Sequence, residues 1–336
     1  MQIINIVVNG FYKNSYSIVS IVQLLEVLNM KCAYCGKEAK GTKEHIISCA
    51  VLDLFPECHL TFDIQRERIH EADPMVKDVC ADCNNNKISY NDSYAKNFIE
   101  TYFTKKYSIT DSVTIEYNYT MIQKMLLKYA FNDMRSRKED CSFFDEDLLS
   151  FLMDETNVNS KLNISVLCGL AVNTSPMPDF MTGNLKLRWA KNPPIYSNST
   201  IEHINYETGE ISFNKKVELE KFSDLEFSYV FRFNSVQFLL FCWKKESENI
   251  EKNNIILQYQ YPYALLSDVN PRILLPICTN EMNYHRFEQI HVSWDGFFEV
   301  ETMRKLASGG RYIFKETADK EWENEEAIIA KEHPRK

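Results

Sequence analysis

Two Cys-x-x-Cys pairs constrain the fold of this chain more than any other feature. The first is Cys32-Ala-Tyr-Cys35 and the second is Cys80-Ala-Asp-Cys83. Each tight turn aims two sulfurs at one point, and four converging thiolates make a tetrahedral zinc site. Gly36 follows the first pair and relaxes its turn. We therefore expect these four cysteines to bind one structural zinc ion.

Other uses of the cysteines are weaker. A redox pair at Cys32 and Cys35 would need a βαβ setting, which the surrounding pattern does not suggest. Cys58, His59 and His70 are alternative metal ligands, although none belongs to a paired turn. The cysteines outside the two pairs are expected to be small buried side chains: Cys49, Cys58, Cys141, Cys168, Cys242 and Cys278.

The N-terminal segment does not look like a secretion signal or a membrane span. It lacks a basic start, and polar residues interrupt its apolar runs. We expect a cytoplasmic protein that does not enter a membrane. Because Met30 stands directly before Lys31-Cys32, we also hypothesise that Met30 is the natural start and that the residues before it are an upstream extension.

The pattern along the chain predicts an α+β protein in five parts. These are an N-terminal extension (1–30), a cysteine module (31–110), a helical bridge (111–160), a β-rich domain (161–316) and a charged tail (317–336). The part from 31 to 110 ends in a helical period that places Ile88, Ala95, Phe98 and Tyr102 on one face.

Local patterns predict individual elements in the later parts. Amphipathic helices are expected at 119–138 and 145–154. Strands are expected at 162–172, 184–190, 200–206, 210–216, 225–233, 236–243 and 254–261. Hairpin turns are expected at 206–210 and 233–235.

The residues around the two cysteine pairs carry a family resemblance. Lys43-Glu44-His45-Ile46-Ile47 lies between the pairs, and Cys83-Asn84-Asn85-Asn86-Lys87 continues from the second. CxxC, then EHII, then CxxCNxxK resembles the HNH nuclease family, whose ββα-metal fold is held by a structural zinc. The resemblance covers residues 31–107, roughly a quarter of the chain, and implies that the cysteine module is a nuclease.

The resemblance implies a metal-dependent endonuclease that hydrolyses phosphodiester bonds in DNA or RNA, leaving a 5′-phosphate and a 3′-hydroxyl. It also implies a setting in bacterial phage defence or a mobile element. His45 would be the general base, since a neutral imidazole is well populated near pH 7. Glu44, where the family usually has Asp, and Asn84 would give oxygens to catalytic Mg²⁺ or Mn²⁺. Lys43 and Lys87 would contact the substrate phosphate.

Two assignments stay open at this stage. The family's middle Asn, which helps to orient the histidine, falls near Met75, so that role passes to the backbone, Asp73 or Asp78. The second concerns three consecutive asparagines, because a shift of one residue decides whether Asn84, Asn85 or Asn86 would meet the metal.

The charge distribution bears on partners. The net charge is -9, which argues against a broad polyanion-binding surface. Residues 31–110 carry 11 Lys+Arg and 12 Asp+Glu, whereas residues 111–336 carry 26 and 34. The acidic C-terminal domain is therefore expected to bind a partner protein, a second copy of itself or an activating ligand, and not to grip DNA.

The basic and aromatic side chains have specific expectations of their own. The basic cluster of Lys31, Lys37, Lys40 and Lys43 has two interpretations, a solvated face or a set of phosphate contacts beside the Glu44-His45 motif. Strand-core packing, rather than base stacking, is expected for the aromatic run of Phe222, Phe227, Tyr229, Phe231, Phe233, Phe238 and Phe241. A non-catalytic zinc-stabilised adaptor that binds nucleic acid or protein is the alternative function.

Overall fold

A computed structural model describes residues 30–56, 61–63, 68–70, 73–108, 110–158, 162–172, 187–192, 201–204, 211–213, 222–260 and 263–279. The helices in these residues are α1 (Cys49–Leu52), α2 (Ser89–Tyr102), α3 (Tyr119–Ser136), α4 (Glu146–Met153) and α5 (Ile250–Gln260). A π-helical turn, Cys83–Lys87, precedes α2. None of these helices is both long enough and apolar enough to cross a membrane.

The strands in the described residues are mostly short. They are β1 (Met30–Lys31), β2 (Glu38–Ala39), β3 (Gly41–His45), β4 (Thr61–Asp63), β5 (Arg68–His70), β6 (Met75–Cys80), β7 (Thr114–Glu116), β8 (Ile164–Val172), β9 (Leu187–Lys191), β10 (Ile201–Ile204), β11 (Ile211–Phe213), β12 (Leu225–Phe233), β13 (Val236–Trp243), β14 (Ala264–Leu265), β15 (Arg272–Leu274) and β16 (Ile277–Thr279). The mixture of helix and sheet confirms the predicted α+β class.

The described residues form two compact units that interleave along the chain. The first unit draws on Met1–Cys49, Leu60–Ser93 and Leu127–Val158, and the second on Ala50–His59, Tyr94–Leu126 and Asn159–Lys336. Helices α2 and α3 therefore each contribute residues to both units. The five-part division expected from the sequence stays a prediction.

An antiparallel pair of strands, β3 and β6, runs through the first unit. Its register places Gly41 opposite Cys80 and His45 opposite Met75, with a bulge in between. Glycine is needed at the first of these positions, because a Cβ on Gly41 would lie 2.2 Å from the backbone oxygen of Lys77. The strand pair thus carries a cysteine at one end and the histidine at the other.

Helices α3 and α4 supply apolar packing to the first unit. Phe131 of α3 meets Tyr34 edge-to-face with ring centroids 5.2 Å apart, and its ring lies 4.6 Å from that of Phe144. Asp145 caps α4 by accepting a hydrogen bond of 2.9 Å from the backbone N–H of Leu148. Helices α3 and α4 confirm the helices predicted at 119–138 and 145–154.

A six-stranded sheet organises the second unit. Its order is β14-β8-β13-β12-β9, and β16 pairs in parallel with β8 beyond the residues of β8 that pair with β14. The hairpin predicted at 233–235 is confirmed: β12 and β13 are joined there, with Asn234 at a φ of 49°. The left-handed backbone region suits asparagine better than most side chains.

Both faces of this sheet are covered within the second unit. Leu239, Phe241 and Trp243 pack on one face with Leu257 of α5. On the other face, the ring of Phe238 lies 6.5 Å from that of Phe98 in α2. The predicted aromatic run is buried as strand-core residues would be, except that Phe222 is partly buried.

One predicted strand is wrong. The run 254–261 belongs mainly to α5, where Asn253 and Leu257 are buried at helical spacing. Ile255 lies between them and is 68% exposed. A short apolar run does not distinguish a buried strand from a helix by its periodicity alone. The expected extension at 1–29, turn at 206–210 and tail at 317–336 lie outside the described residues.

Candidate metal centre and its polar neighbours

The four cysteines of the paired turns come together in the first unit. The sulfur atoms of Cys32, Cys35, Cys80 and Cys83 all lie within 4.8 Å of one another. The Sγ atoms of Cys35 and Cys80 are 3.8 Å apart. Tetrahedral zinc with bonds of about 2.3 Å places its sulfurs about 3.8 Å apart, so the cluster could hold a metal such as zinc.

Short backbone contacts shape this centre. The N–H of Gly36 donates to the carbonyl of Cys32 at 2.9 Å, closing the first turn, and Gly36 adopts the positive φ of 70° that its sequence position predicts. The N–H of Cys80 donates to Cys32 Sγ at 3.3 Å, and that of Cys83 to Cys80 Sγ at 3.5 Å. Such donors stabilise thiolates.

The thiols differ in acidity before any metal binds. Burial acts to raise the pKa of Cys32, but hydrogen bonds from the backbone of Cys80, Cys35 and Tyr34 outweigh it and lower the pKa to about 7. Burial raises the pKa of Cys83, and neighbouring thiols add to the effect. A bound cation would deprotonate a coordinating thiol outright. The convergence of four sulfurs, rather than two, suits a metal better than a redox pair at Cys32 and Cys35.

The cysteines outside the cluster follow the expectation only in part. Cys168 and Cys242 are buried and Cys141 is half-buried. The expectation is wrong for Cys49, which is exposed because it begins the short helix α1. Cys58 and His59 lie outside the described residues, and only backbone is described for His70 and Cys278.

His45 ends strand β3 with its backbone fixed and its ring accessible. The backbone carbonyl accepts a hydrogen bond of 2.8 Å from Asn132 Nδ2. The side chain is 25% exposed, and its Nε2 lies 3.8 Å from Asp73 Oδ2. Asp78, the other carboxylate considered for this place, instead lies 2.5 Å from Arg135 Nη1. Of these two aspartates, Asp73 is therefore the one beside the imidazole.

Asn84, which directly follows the second cysteine pair, is hydrogen-bonded to the same strand. Its Nδ2 donates to the carbonyl of Lys43 at 2.9 Å and to Thr42 Oγ1 at 3.0 Å. Asn86, by contrast, donates to Asp82 within its own turn at 3.1 Å. Of the two asparagines compared, Asn84 is thus the one whose side chain reaches β3, immediately before the Glu44-His45 pair.

Glu44 occupies a different environment from His45. It is 4% exposed, and its Oε1 lies 2.8 Å from Lys128 Nζ and 3.4 Å from Asn132 Nδ2. The same Lys128 nitrogen lies 2.5 Å from Asp92 Oδ1. An oxygen already bound to an ammonium does not fit the donor that Mg²⁺ or Mn²⁺ requires, so Glu44 does not suit the expected divalent cation in this arrangement.

The predicted phosphate contacts are placed at the surface. Lys43 is exposed, as are the other lysines of the basic cluster. The ammonium of Lys87 lies 3.4 Å from Asp82 Oδ2, so a phosphate would have to compete with that carboxylate. Lys43 is therefore the better placed of the two for a substrate anion.

Three side chains of α3 were missed by reasoning from the sequence. Lys128, Asn132 and Arg135 recur at helical spacing and line one stripe that reaches Glu44, the His45 backbone and Asp78. A signal was available: polar residues at helical spacing inside an otherwise apolar helix face indicate buried partners. The sequence of α3 does not identify the residues elsewhere in the chain that these three side chains contact.

Comparisons of the chain with protein-family models, with characterised proteins and with solved structures each give no match. The residues of the site alone therefore carry the functional argument.

Proposed function

We propose that the first unit is a zinc-stabilised, HNH-like endonuclease that hydrolyses phosphodiester bonds in DNA or RNA. One observation carries this proposal: the accessible imidazole of His45 stands beside Asp73, on the strand to which Asn84 is bonded. The zinc would hold the cysteine turns in place and take no part in the chemistry, because four thiolates fill its coordination sphere. The setting in phage defence or a mobile element rests on the family resemblance alone.

His45 would act as the general base. Hydrolysis requires a water to lose a proton near neutral pH, and imidazole is the side chain whose ordinary pKa suits that step. The carboxylate of Asp73 would stabilise the imidazolium that forms. The hydrogen bond from Asn132 to the His45 carbonyl would hold the backbone of His45, and with it the imidazole ring, in position. A misplacement of about 1 Å is costly in such a step.

Activity would still require Mg²⁺ or Mn²⁺. Such a cation supplies stabilisation of the negative charge that develops on the phosphate during hydrolysis. Glu44 is not offered as its ligand, because that carboxylate is bound to Lys128. Exposed Lys43 would assist by contacting a substrate phosphate.

The non-catalytic adaptor is the second candidate, and one observation favours it. The acid that precedes the histidine is neutralised by a buried lysine, as expected for a structural strand rather than for a metal-binding one. In that case the exposed lysines around the zinc would bind nucleic acid or an acidic protein surface without cleaving it.

The test is cleavage of supercoiled plasmid and of single-stranded RNA by the full-length, zinc-loaded chain with Mg²⁺ or Mn²⁺. We expect the wild type to cut and His45→Ala to lose at least 100-fold in rate, as for a lost general base. Zinc content and circular dichroism of the variant must match the wild type. Equal cleavage by both proteins, or no cleavage by the wild type with any cation, would contradict the proposal.

A matched pair of variants adds specificity to this test. Asn84→Ala removes the bonds to β3, whereas Asn86→Ala removes only a bond to Asp82 in its own turn. We expect the first to reduce cleavage and the second to leave it unchanged. Equal effects of the two substitutions would count against a role for Asn84 in the site.

A further inference from the structure

The ammonium of Lys128 stands between two carboxylates in the interior of the first unit. The side chain of Lys128 is 0% exposed, and those of Glu44 and Asp92 are 6% and 25% exposed. Burying an ammonium group is costly unless opposite charges compensate it. The contacts of 2.8 Å and 2.5 Å to the two carboxylates provide that charge.

The position of this nitrogen is that of a cation bridging two acids. Hard divalent cations are held by carboxylate oxygens at about 2.0–2.6 Å, only slightly closer than the oxygens of Glu44 and Asp92 lie to Lys128 Nζ. An ammonium and a divalent cation therefore cannot both occupy this place. Each would compensate the same pair of negative charges.

The lysine also belongs to the stripe that fixes His45. Asn132 lies one helical turn further along α3 and donates both to Glu44 Oε1 and to the His45 carbonyl. Tyr34, from the first cysteine turn, donates to Asn132 Oδ1 at 2.9 Å. Strand β3 is thus held against α3 through Glu44 and the His45 backbone, and the cysteine turn is linked to the same contact.

We propose that Lys128 is the built-in cation of the Glu44–Asp92 pair and that it takes the place of a divalent metal there. This assignment stands on the contacts of Lys128 alone and does not depend on the proposed nuclease activity. Any divalent cation that the nuclease uses would then be bound without Glu44.

The first measurement follows Mn²⁺ binding to the zinc-loaded full-length protein by electron paramagnetic resonance. We expect Glu44→Gln to bind Mn²⁺ as the wild type does, because the wild-type carboxylate is occupied by Lys128. Loss of a wild-type Mn²⁺ site in Glu44→Gln would overturn the proposal. No nuclease assay enters this result, so it is separable from the test of His45.

The second measurement removes the ammonium. Lys128→Met leaves two unpaired carboxylates, and we expect a lowered Tm that Mn²⁺ or Mg²⁺ raises again, with a new Mn²⁺ signal. The double variant Lys128→Met with Glu44→Gln should lose that metal-dependent rise. Lys128 acting only as packing would give no rescue by a divalent cation, and a Tm of Lys128→Met that no cation changes would overturn the proposal. Should Lys128→Met not fold, the Glu44→Gln comparison decides alone.

Discussion

Strands β3 and β13 are held in their units by opposite means. β3 is Gly-Thr-Lys-Glu-His, without one apolar side chain, and its contacts with α3 are an ion pair at Glu44 and a backbone hydrogen bond at His45. All eight residues of β13 are buried, mostly among aromatic and aliphatic side chains. A strand fixed by polar contacts can keep a reactive side chain accessible, whereas a strand buried on both faces cannot.

Loss of the candidate metal centre should have the largest effect, because β3 has no apolar side chain of its own. Zinc binding to small modules is worth roughly 10–16 kcal/mol. We expect Cys80→Ser to abolish bound zinc and to lower the helical signal in circular dichroism. Exposed Cys49→Ser is the control and should retain zinc. A Cys80→Ser protein with unchanged zinc content would show that these sulfurs are not the ligands.

The next comparison sets Lys128→Met against Phe238→Ala. The first leaves buried carboxylates unpaired and should cost about 3–5 kcal/mol of unfolding free energy. The second empties a fully buried ring position and should cost about 3–5 kcal/mol as well. The two losses are expected to be similar in size and different in cause, and urea denaturation would measure both.

Further substitutions distinguish the loss of charge compensation in Lys128→Met from the loss of packing in Phe238→Ala. Neutralising the acids, in Lys128→Met with Glu44→Gln and Asp92→Asn, should recover much of the first loss, because no buried charge stays unpaired. Phe238→Leu should cost less than about 1.5 kcal/mol, since most of the volume is kept. If the neutral triple variant is no more stable than Lys128→Met alone, charge is not what holds β3.

The smallest expected effect concerns the link between the cysteine turn and α3. Tyr34→Phe removes the hydroxyl that donates to Asn132 and should cost about 0.5–1.5 kcal/mol. Tyr34→Leu also removes the ring that packs on Phe131 and should cost more. Equal stability of wild type and Tyr34→Phe in urea denaturation would mean that this bond adds nothing to the polar attachment of β3.

Local sequence patterns were enough for much of the fold. The spacing of the cysteines predicted their convergence, and the alternation of β12 and β13 with Asn234 between them predicted the hairpin. Helices α3 and α4 followed from apolar periodicity. Each of these features is decided by residues close together in the chain.

The surroundings of Glu44 could not be predicted in the same way. Its partner Lys128 is far along the chain, and neither residue has a local pattern that names the other. The position of Asp73, rather than Asp78, beside His45 could not be predicted either, because Asp78 forms an ion pair with Arg135 of α3. The strand predicted at 254–261 failed for a third reason, because an apolar run of that length suits either a helix or a strand.

The register of β3 against β6 decides which face of the strand each residue of the site occupies. Adjacent residues of a strand point to opposite faces. In the observed register, the Glu44 carboxylate therefore faces Lys128, and the imidazole of His45 is accessible to solvent. Inserting one residue between Gly41 and Glu44 would turn the carboxylate of Glu44 toward solvent and the imidazole of His45 away from it, although both residues would still be present. Chain length at this point is therefore as much a determinant of the site as the identity of its residues.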